Sequence, residues 1–305
     1  MIVKIVGTAA GGGFPQWNCG CDNCAGVRAG RIQATPRSQL QVAVSVDGED
    51  WLLLNASPDL RTQIEATPEL RPRRLRGSPI RGVVLTSGDL DQVLGLLLLR
   101  EFTPLQICST ASVRRILRED NAFFGMLAQV PEQSRWIDVR PQQIFEPLPG
   151  LCCRPVAMSG GFPRWVAAGR AHALVPSEAV LGLILETGRE GKRTRVAYMP
   201  AIPEYSERLL AELANCDAIL ADGTFWSDDE LQRLQPGVRS AREMGHLPLG
   251  GRDGALAQTQ TLTRPRKVFV HINNTNPILN EQSPQFAEAR AAGWEAGKDG
   301  WQLTF

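Results

Sequence analysis

Short apolar runs rich in valine, isoleucine and leucine recur along the chain, most of them closed by turn or polar residues. This punctuation restricts the possible folds more than any other sequence feature. The runs are Ile2–Val6, Leu40–Val46, Trp51–Asn55, Gly82–Thr86, Ile107–Ser109, Leu181–Glu186, Arg195–Met199, Ala218–Ala221 and Lys267–His271, with a terminal strand at Trp301–Phe305. Runs of this length and composition predict buried strands. Helical patterns lie between several of them, at Pro58–Ala66, Gln92–Glu101, Ala111–Glu119, Glu204–Asn215, Asp228–Leu234 and Gln285–Ala292. In Glu204–Asn215, Leu209, Leu210 and Leu213 fall on one helical face. Strands first, then strands alternating with helices, predict an α/β protein with mixed sheets inside and helices outside. No repeat or low-complexity linker interrupts the order, so one domain is expected over residues 1–305.

Composition excludes some partners. The net charge is +1, which gives no reason to expect nucleic acid. The basic run Arg71–Arg81 is interrupted by Pro72 and Pro79 and reads as a solvated loop. The N-terminus enters a strand at once, without the long apolar region of a signal peptide. The longest apolar stretch, Val93–Leu99, is too short to cross a bilayer. A cytoplasmic protein without membrane insertion is expected, and its seven cysteines then suit thiols or metal ligands better than disulfides.

Three of those cysteines crowd into Trp17-Asn-Cys19-Gly-Cys21-Asp-Asn-Cys24. A tetrahedral zinc with sulfur bonds of about 2.3 Å needs such convergence, and Gly20 allows the tight turn. The alternatives are three unligated thiols or a reactive cysteine, although no basic neighbour lowers a thiol pKa. A closed zinc site needs a fourth ligand from elsewhere. Cys108, Cys152, Cys153 and Cys216 lie in or beside apolar segments and read as core residues.

Several strand ends run into ligand chemistry: Thr86-Ser-Gly-Asp-Leu-Asp-Gln92, Asp222-Gly-Thr224 and His271-Ile-Asn-Asn274. Ligand sites of layered α/β proteins collect at such ends. The first of them follows the frame Thr-His-X-His-X-Asp-His-X-X-Gly, with Thr86, Asp91 and Gly95 kept and the histidines replaced by Ser87, Asp89 and Gln92. With Asp222, Gly245-His246 and His271 following in order, the frame resembles the metallo-β-lactamase superfamily. The longer stretches GTAAGGGFPQWNCGC, DGTFWSDDE, EMGHLPLGG and HINNTNPILN resemble its PqqB family, over nearly the whole chain.

That resemblance implies a metallo-β-lactamase-like αββα sandwich of two mixed sheets flanked by helices, acting in pyrroloquinoline quinone (PQQ) biosynthesis. One superfamily metal position, at Ser87, Asp89 and Ser159, is largely stripped. The other keeps Asp91, Gln92, Asp222 and His271, so one active-site metal is expected, with Asp89 as a catalytic candidate and extra ligand. A two-metal hydrolase loses its template here. The resemblance implies instead Fe(II)- and O2-dependent hydroxylation of the tyrosine ring of a Glu–Tyr-derived precursor, with His246 for proton transfer or substrate contact. The other reading is a carrier that helps move PQQ or its precursor towards the periplasm. The expected partners are thus a small peptide-derived substrate or PQQ precursor, and a homodimer is allowed. A related phosphodiesterase with the same cysteine loop takes its fourth zinc ligand three residues after the last active-site histidine, which lands here on Asn274; the alternatives are that Asn273, Asn274 and Asn276 build the turn before Pro277 and that Asp22 or a partner chain supplies the ligand. His172 matches nothing and reads as a surface or packing residue.

Overall fold

The computed structural model describes residues 1–101, 103–129, 132–189 and 192–305. Its strands are β1 (Ile2–Gly7), β2 (Gln41–Ser45), β3 (Trp51–Leu54), β4 (Ile80–Val84), β5 (Leu105–Ser109), β6 (Ser134–Asp138) and β7 (Phe145–Leu148). They continue as β8 (Leu151–Met158), β9 (Val180–Arg189), β10 (Lys192–Met199), β11 (Ala218–Asp222), β12 (Arg266–Val270), β13 (Trp294–Ala296) and β14 (Trp301–Thr304). One sheet has the order β14-β1-β2-β3-β4-β5-β6, the other β13-β12-β11-β10-β9-β8-β7. Both are mixed. In the first, β14, β1, β2 and β3 pair antiparallel, whereas β3 to β6 are parallel. In the second, β7, β8 and β9 are antiparallel and β10 to β13 parallel.

The described chain forms two compact units. Met1–Gly7, Gln41–Thr194 and Gly300–Phe305 make the first; Thr8–Leu40 and Arg195–Asp299 make the second. In the first, β2 and β3 are buried at every position, as strands covered on both faces must be to read as unbroken apolar runs. Trp51, Leu53, Val83, Ile107 and Ile116 lie in its core cluster. In the second, β11 is likewise buried throughout, and Phe269 stacks on Trp294 at 4.1 Å.

Three expectations change. Asp228–Leu234 is a series of turns rather than a helix, and the Glu230 side chain there accepts from the Trp226 N–H at 2.6 Å. Gln92–Glu101 is a short helix, Leu90–Val93, followed by a tighter 3-10 stretch, Leu94–Leu99. Cys152 is exposed on β8, where alternation turns it away from buried Cys153; Cys108 and Cys216 are buried as expected. The helix expected at Glu204–Asn215 spans Glu207–Ala214, started by Ser206, whose hydroxyl accepts from the Leu209 N–H.

Candidate metal centres

Two clusters of metal-ligating side chains form in the second unit. In the first of these, β11 ends in Asp222, buried to 3% exposure, and β12 runs directly into His271, at 9%. Parallel pairing of Asp222 with Val270 sets the two strand ends side by side. His271 takes a left-handed backbone (φ 55°), a conformation unusual for a residue other than glycine. His246 follows Gly245, whose φ of 88° turns the chain at that point.

The three side chains converge: one ligand atom of each lies within 4.8 Å of the others. His246 Nδ1 stands 2.7 Å from Asp222 Oδ2, and the two imidazoles stack with centroids 5.5 Å apart. Thr224 organises the group. Its hydroxyl donates to Asp222 Oδ1 at 2.6 Å and lies 2.8 Å from His271 Nδ1. Asp222 also accepts from the backbone N–H groups of Thr224 and Ile202, at 3.0 and 2.9 Å. Burial opposes ionisation of Asp222, yet His246, His271 and Thr224 hold its pKa below the ordinary carboxylate value. Ligand atoms about 2.1 Å from one ion stand about 3 Å apart, so the donor set fits a divalent metal.

The second cluster is the cysteine loop. Cys21 caps the helix Asp22–Arg28, which brings Cys24 back towards Cys19 and Cys21, and the three Sγ atoms lie within 4.8 Å of one another. A tetrahedral zinc requires sulfurs about 3.8 Å apart. Asn274 is 4% exposed, and its amide nitrogen lies 3.1, 3.8 and 3.4 Å from Cys19, Cys21 and Cys24. Backbone N–H groups of Gln16 and Cys21 donate to Cys24 and Cys19 sulfurs at 3.4 Å. Burial pushes the Cys21 thiol up to about 12, aided by the neighbouring thiols. Burial acts against Cys19 too, but hydrogen bonds from Cys21, Cys24 and Asn274 bring its pKa below the ordinary thiol value. Three thiols and an amide turned towards them suit zinc, since rotating the Asn274 amide by half a turn presents Oδ1 instead.

Between Asp222 and His246 in sequence lies Glu230. Its carboxyl accepts from the Trp226 N–H and from the Thr275 hydroxyl, tying the segment after Asp222 to the one after His271. Burial pushes its pKa up to about 7, against the pull of those hydrogen bonds.

The remaining candidates, Ser87, Asp89, Asp91 and Gln92, belong to the first unit and follow β4. Some of their hydrogen bonds run among themselves and to Asn55. Ser87 donates to Asp89 Oδ2 at 2.8 Å. Asn55 Oδ1 accepts from the Thr86 N–H at 2.8 Å, which fixes the orientation of the Asn55 amide. Its Nδ2 therefore donates to Gln92 Oε1, and Gln92 Nε2 donates to Asp91 Oδ2 at 3.1 Å. The Gln92 oxygen, the atom a metal would need, is thus already an acceptor for Asn55. Gly95 lets this turn close: a Cβ there would meet the Ser57 carbonyl at 2.3 Å. Thr224, Asn55 and Glu230 were not singled out by the sequence reading, though Thr224 and Glu230 lie in the quoted stretch DGTFWSDDE. His172 is exposed.

Comparison with known proteins shows the family and the fold of the chain. Residues 50–272 match the family described as "Beta-lactamase superfamily domain". The chain is 42% identical over 304 residues to "Coenzyme PQQ synthesis protein B" of Methylorubrum extorquens strain PA1, covering 99% of each. It is 42% identical over 302 residues to the protein of that name in Rhizobium meliloti strain 1021, covering 99% of this chain and 97% of the other. Among solved structures, Zn(2+)-bound PqqB from Methylobacterium extorquens superposes with a TM-score of 0.92 at 41% identity, over 100% of both chains. A diphosphatase from the PhnP family, at TM-score 0.66 and 19% identity, covers 100% of this chain and 96% of its own and shares the fold. The fold is therefore the expected one, α/β with two mixed sheets flanked by helices. No helix among the described residues is long and apolar enough to cross a membrane.

Proposed function

The chain belongs to the PqqB family of the β-lactamase superfamily, and from that premise we propose that it acts in the biosynthesis of pyrroloquinoline quinone. Its reaction is hydroxylation of the tyrosine ring of a Glu–Tyr-derived precursor at one divalent metal site. One oxygen atom of O2 enters the ring and the other leaves as water, with an external two-electron donor supplying the balance. The observation that carries this reading is the convergence of Asp222, His246 and His271. Two imidazoles and one carboxylate are the donor set that suits non-haem Fe(II) oxygenases. Fe(II) held there would supply O2 activation.

The protein's own groups have separate tasks. Asp222 stays ionised and offers an anionic oxygen. Thr224 orients Asp222 and the His271 ring through one hydroxyl. His246 joins the ligand set, because its ring offers a ligand atom within 4.8 Å of those of Asp222 and His271. Within the first unit, Gln92 orients Asp91 through the bond from Nε2. Asp89 accepts a hydrogen bond from the Ser87 hydroxyl within the first unit. Cys19, Cys21, Cys24 and Asn274 hold a structural zinc. The family match runs through both compact units, which supports one domain, and the absence of a membrane-crossing helix among the described residues accords with the cytoplasm.

Oxygen uptake by the Fe(II)-loaded protein, given a Glu–Tyr dipeptide and ascorbate, tests the reading. Dipeptide-dependent uptake with a hydroxylated product is expected. Binding of the dipeptide without uptake would make the protein a carrier.

A further inference from the structure

Residues 273–276, Asn-Asn-Thr-Asn, begin two positions after His271 and are held from two sides. On one side stands the cysteine loop. Asn274 turns its amide nitrogen to the three sulfurs, 3.1, 3.8 and 3.4 Å away. Asn23, between Cys21 and Cys24 in sequence, donates from Nδ2 to the carbonyls of Asn274 and Asn276, at 3.1 and 2.9 Å.

On the other side stands the chain that leaves Asp222. The Asn273 N–H donates to the Thr224 carbonyl at 3.1 Å, and Asn276 Nδ2 to the Gly223 carbonyl at 2.9 Å. Thr275 donates its hydroxyl to Glu230, whose other carboxyl oxygen accepts from the Trp226 N–H at 2.6 Å. Asn273 Nδ2 donates to that threonine hydroxyl, also at 2.6 Å, which fixes its direction. Asn274, Asn276 and Glu230 are buried, and hydrogen bonds away from water are electrostatically stronger than those in it.

Thr224 is the shared piece. Its hydroxyl orients Asp222 and the His271 ring, while its carbonyl holds residue 273. An ion among Cys19, Cys21 and Cys24 that engages Asn274 therefore acts on a segment fastened to the supports of Asp222 and His271. All of these residues belong to the second unit. Two sites that bias one shared element have binding energies that depend on one another.

We propose, on the metal-site reading above, that residues 273–276 couple the two centres. A metal on the cysteines strengthens metal binding by Asp222, His246 and His271, and Thr275 and Glu230 are the positioning residues that carry the effect.

The test titrates the full chain with Mn(II), followed by electron paramagnetic resonance, in the metal-free state and with one equivalent of zinc. Mn(II) is a hard ion that leaves the thiolates to zinc. Zinc-loaded wild type is expected to bind Mn(II) about tenfold more tightly than the metal-free protein, and by reciprocity Mn(II) should raise zinc affinity by the same factor. In Thr275→Val each metal should still bind, but the difference should vanish. Thr275→Ser, which keeps the hydroxyl, should restore it. Should Thr275→Val fail to fold, Asn273→Ala removes the donor to the same hydroxyl and should lessen the difference.

Equal Mn(II) affinity with and without zinc in wild type would overturn the coupling. An undiminished difference in Thr275→Val or Asn273→Ala would overturn its route. Zinc that weakens Mn(II) binding would place zinc at the strand ends and overturn it too. So would a metal-free chain without the far-ultraviolet circular dichroism of the loaded one, since zinc would then act through the whole fold. No Mn(II) binding in either state, with zinc still held, would bring down the strand-end metal reading itself, which equal binding in both states leaves standing.

Discussion

The segment Thr86–Gly95 and the strand ends at Asp222 and His271 carry parts of one superfamily signature, but their polar groups are spent differently. In the first, Ser87 bonds Asp89, Asn55 bonds Gln92, and Gln92 bonds Asp91. In the second, three ionisable side chains crowd together around a threonine hydroxyl. Where imidazoles gave way to a hydroxyl and an amide, the remaining groups hydrogen-bond one another. Where imidazoles survive, a buried carboxylate and two imidazoles are held within a few ångströms, a donor set that suits a divalent cation. Metal chemistry is therefore expected to depend strongly on the second region and weakly on the altered positions of the first.

The largest effect that could break this contrast belongs to His271→Ala. With the cysteine zinc intact, Co(II) or Mn(II) affinity should fall by more than about a hundredfold, beyond the loss that outer partners of ligands give. Retained affinity would remove His271 from the ligand set. Cys21→Ser should lose about one zinc per chain by elemental analysis, while Asn274→Ala should weaken retention less. Normal zinc content in Cys21→Ser would end the assignment.

Glu230 sharpens the contrast through pH. Its pKa of about 7 means that the folded protein keeps a proton the unfolded chain has released above 4.5. The stability this contributes is present below 4.5 and is lost as pH rises to 7, by up to about 3 kcal/mol. Glu230→Gln should flatten that slope in urea titrations run across the window. An unchanged slope would place the titrating group elsewhere.

In the first region the expected effects concern folding more than metal. Gly95→Ala drives a Cβ against the Ser57 backbone and should cost about 2 kcal/mol by chemical denaturation. The smallest change belongs to Gln92→Ala. If Gln92 only orients Asp91, metal affinity should drop by less than about tenfold; a drop as large as that of His271→Ala would make it a ligand.

Much of this was legible in the sequence, and the reason is local. β2, β3 and β11 are buried at every position and carry short apolar runs, and the polar residues that follow such strands mark the site. β6, β7, β8 and β13 escaped notice: Ser134–Asp138 is half exposed, Phe145–Leu148 and Leu151–Met158 carry prolines within them, and Trp294–Ala296 is only 3 residues long. The cysteine loop was readable because all three thiols fit in six residues, and Asn274 because a motif offset pointed to it. The orientation of Gln92 was not readable, since it is set by Asn55, 37 residues earlier. Nor was the place of His246 beside Asp222, which depends on a turn through Gly245 and a bond across 24 residues.

The most direct measurement is anomalous diffraction from crystals loaded with Fe(II), recorded at the iron and zinc edges. Two peaks are expected: zinc among Cys19, Cys21, Cys24 and Asn274, and iron within bonding distance of Asp222, His246 and His271. An iron peak bonded to Gln92 and away from those three, or no second peak at all, would contradict the assignment of the metal centre to the strand ends.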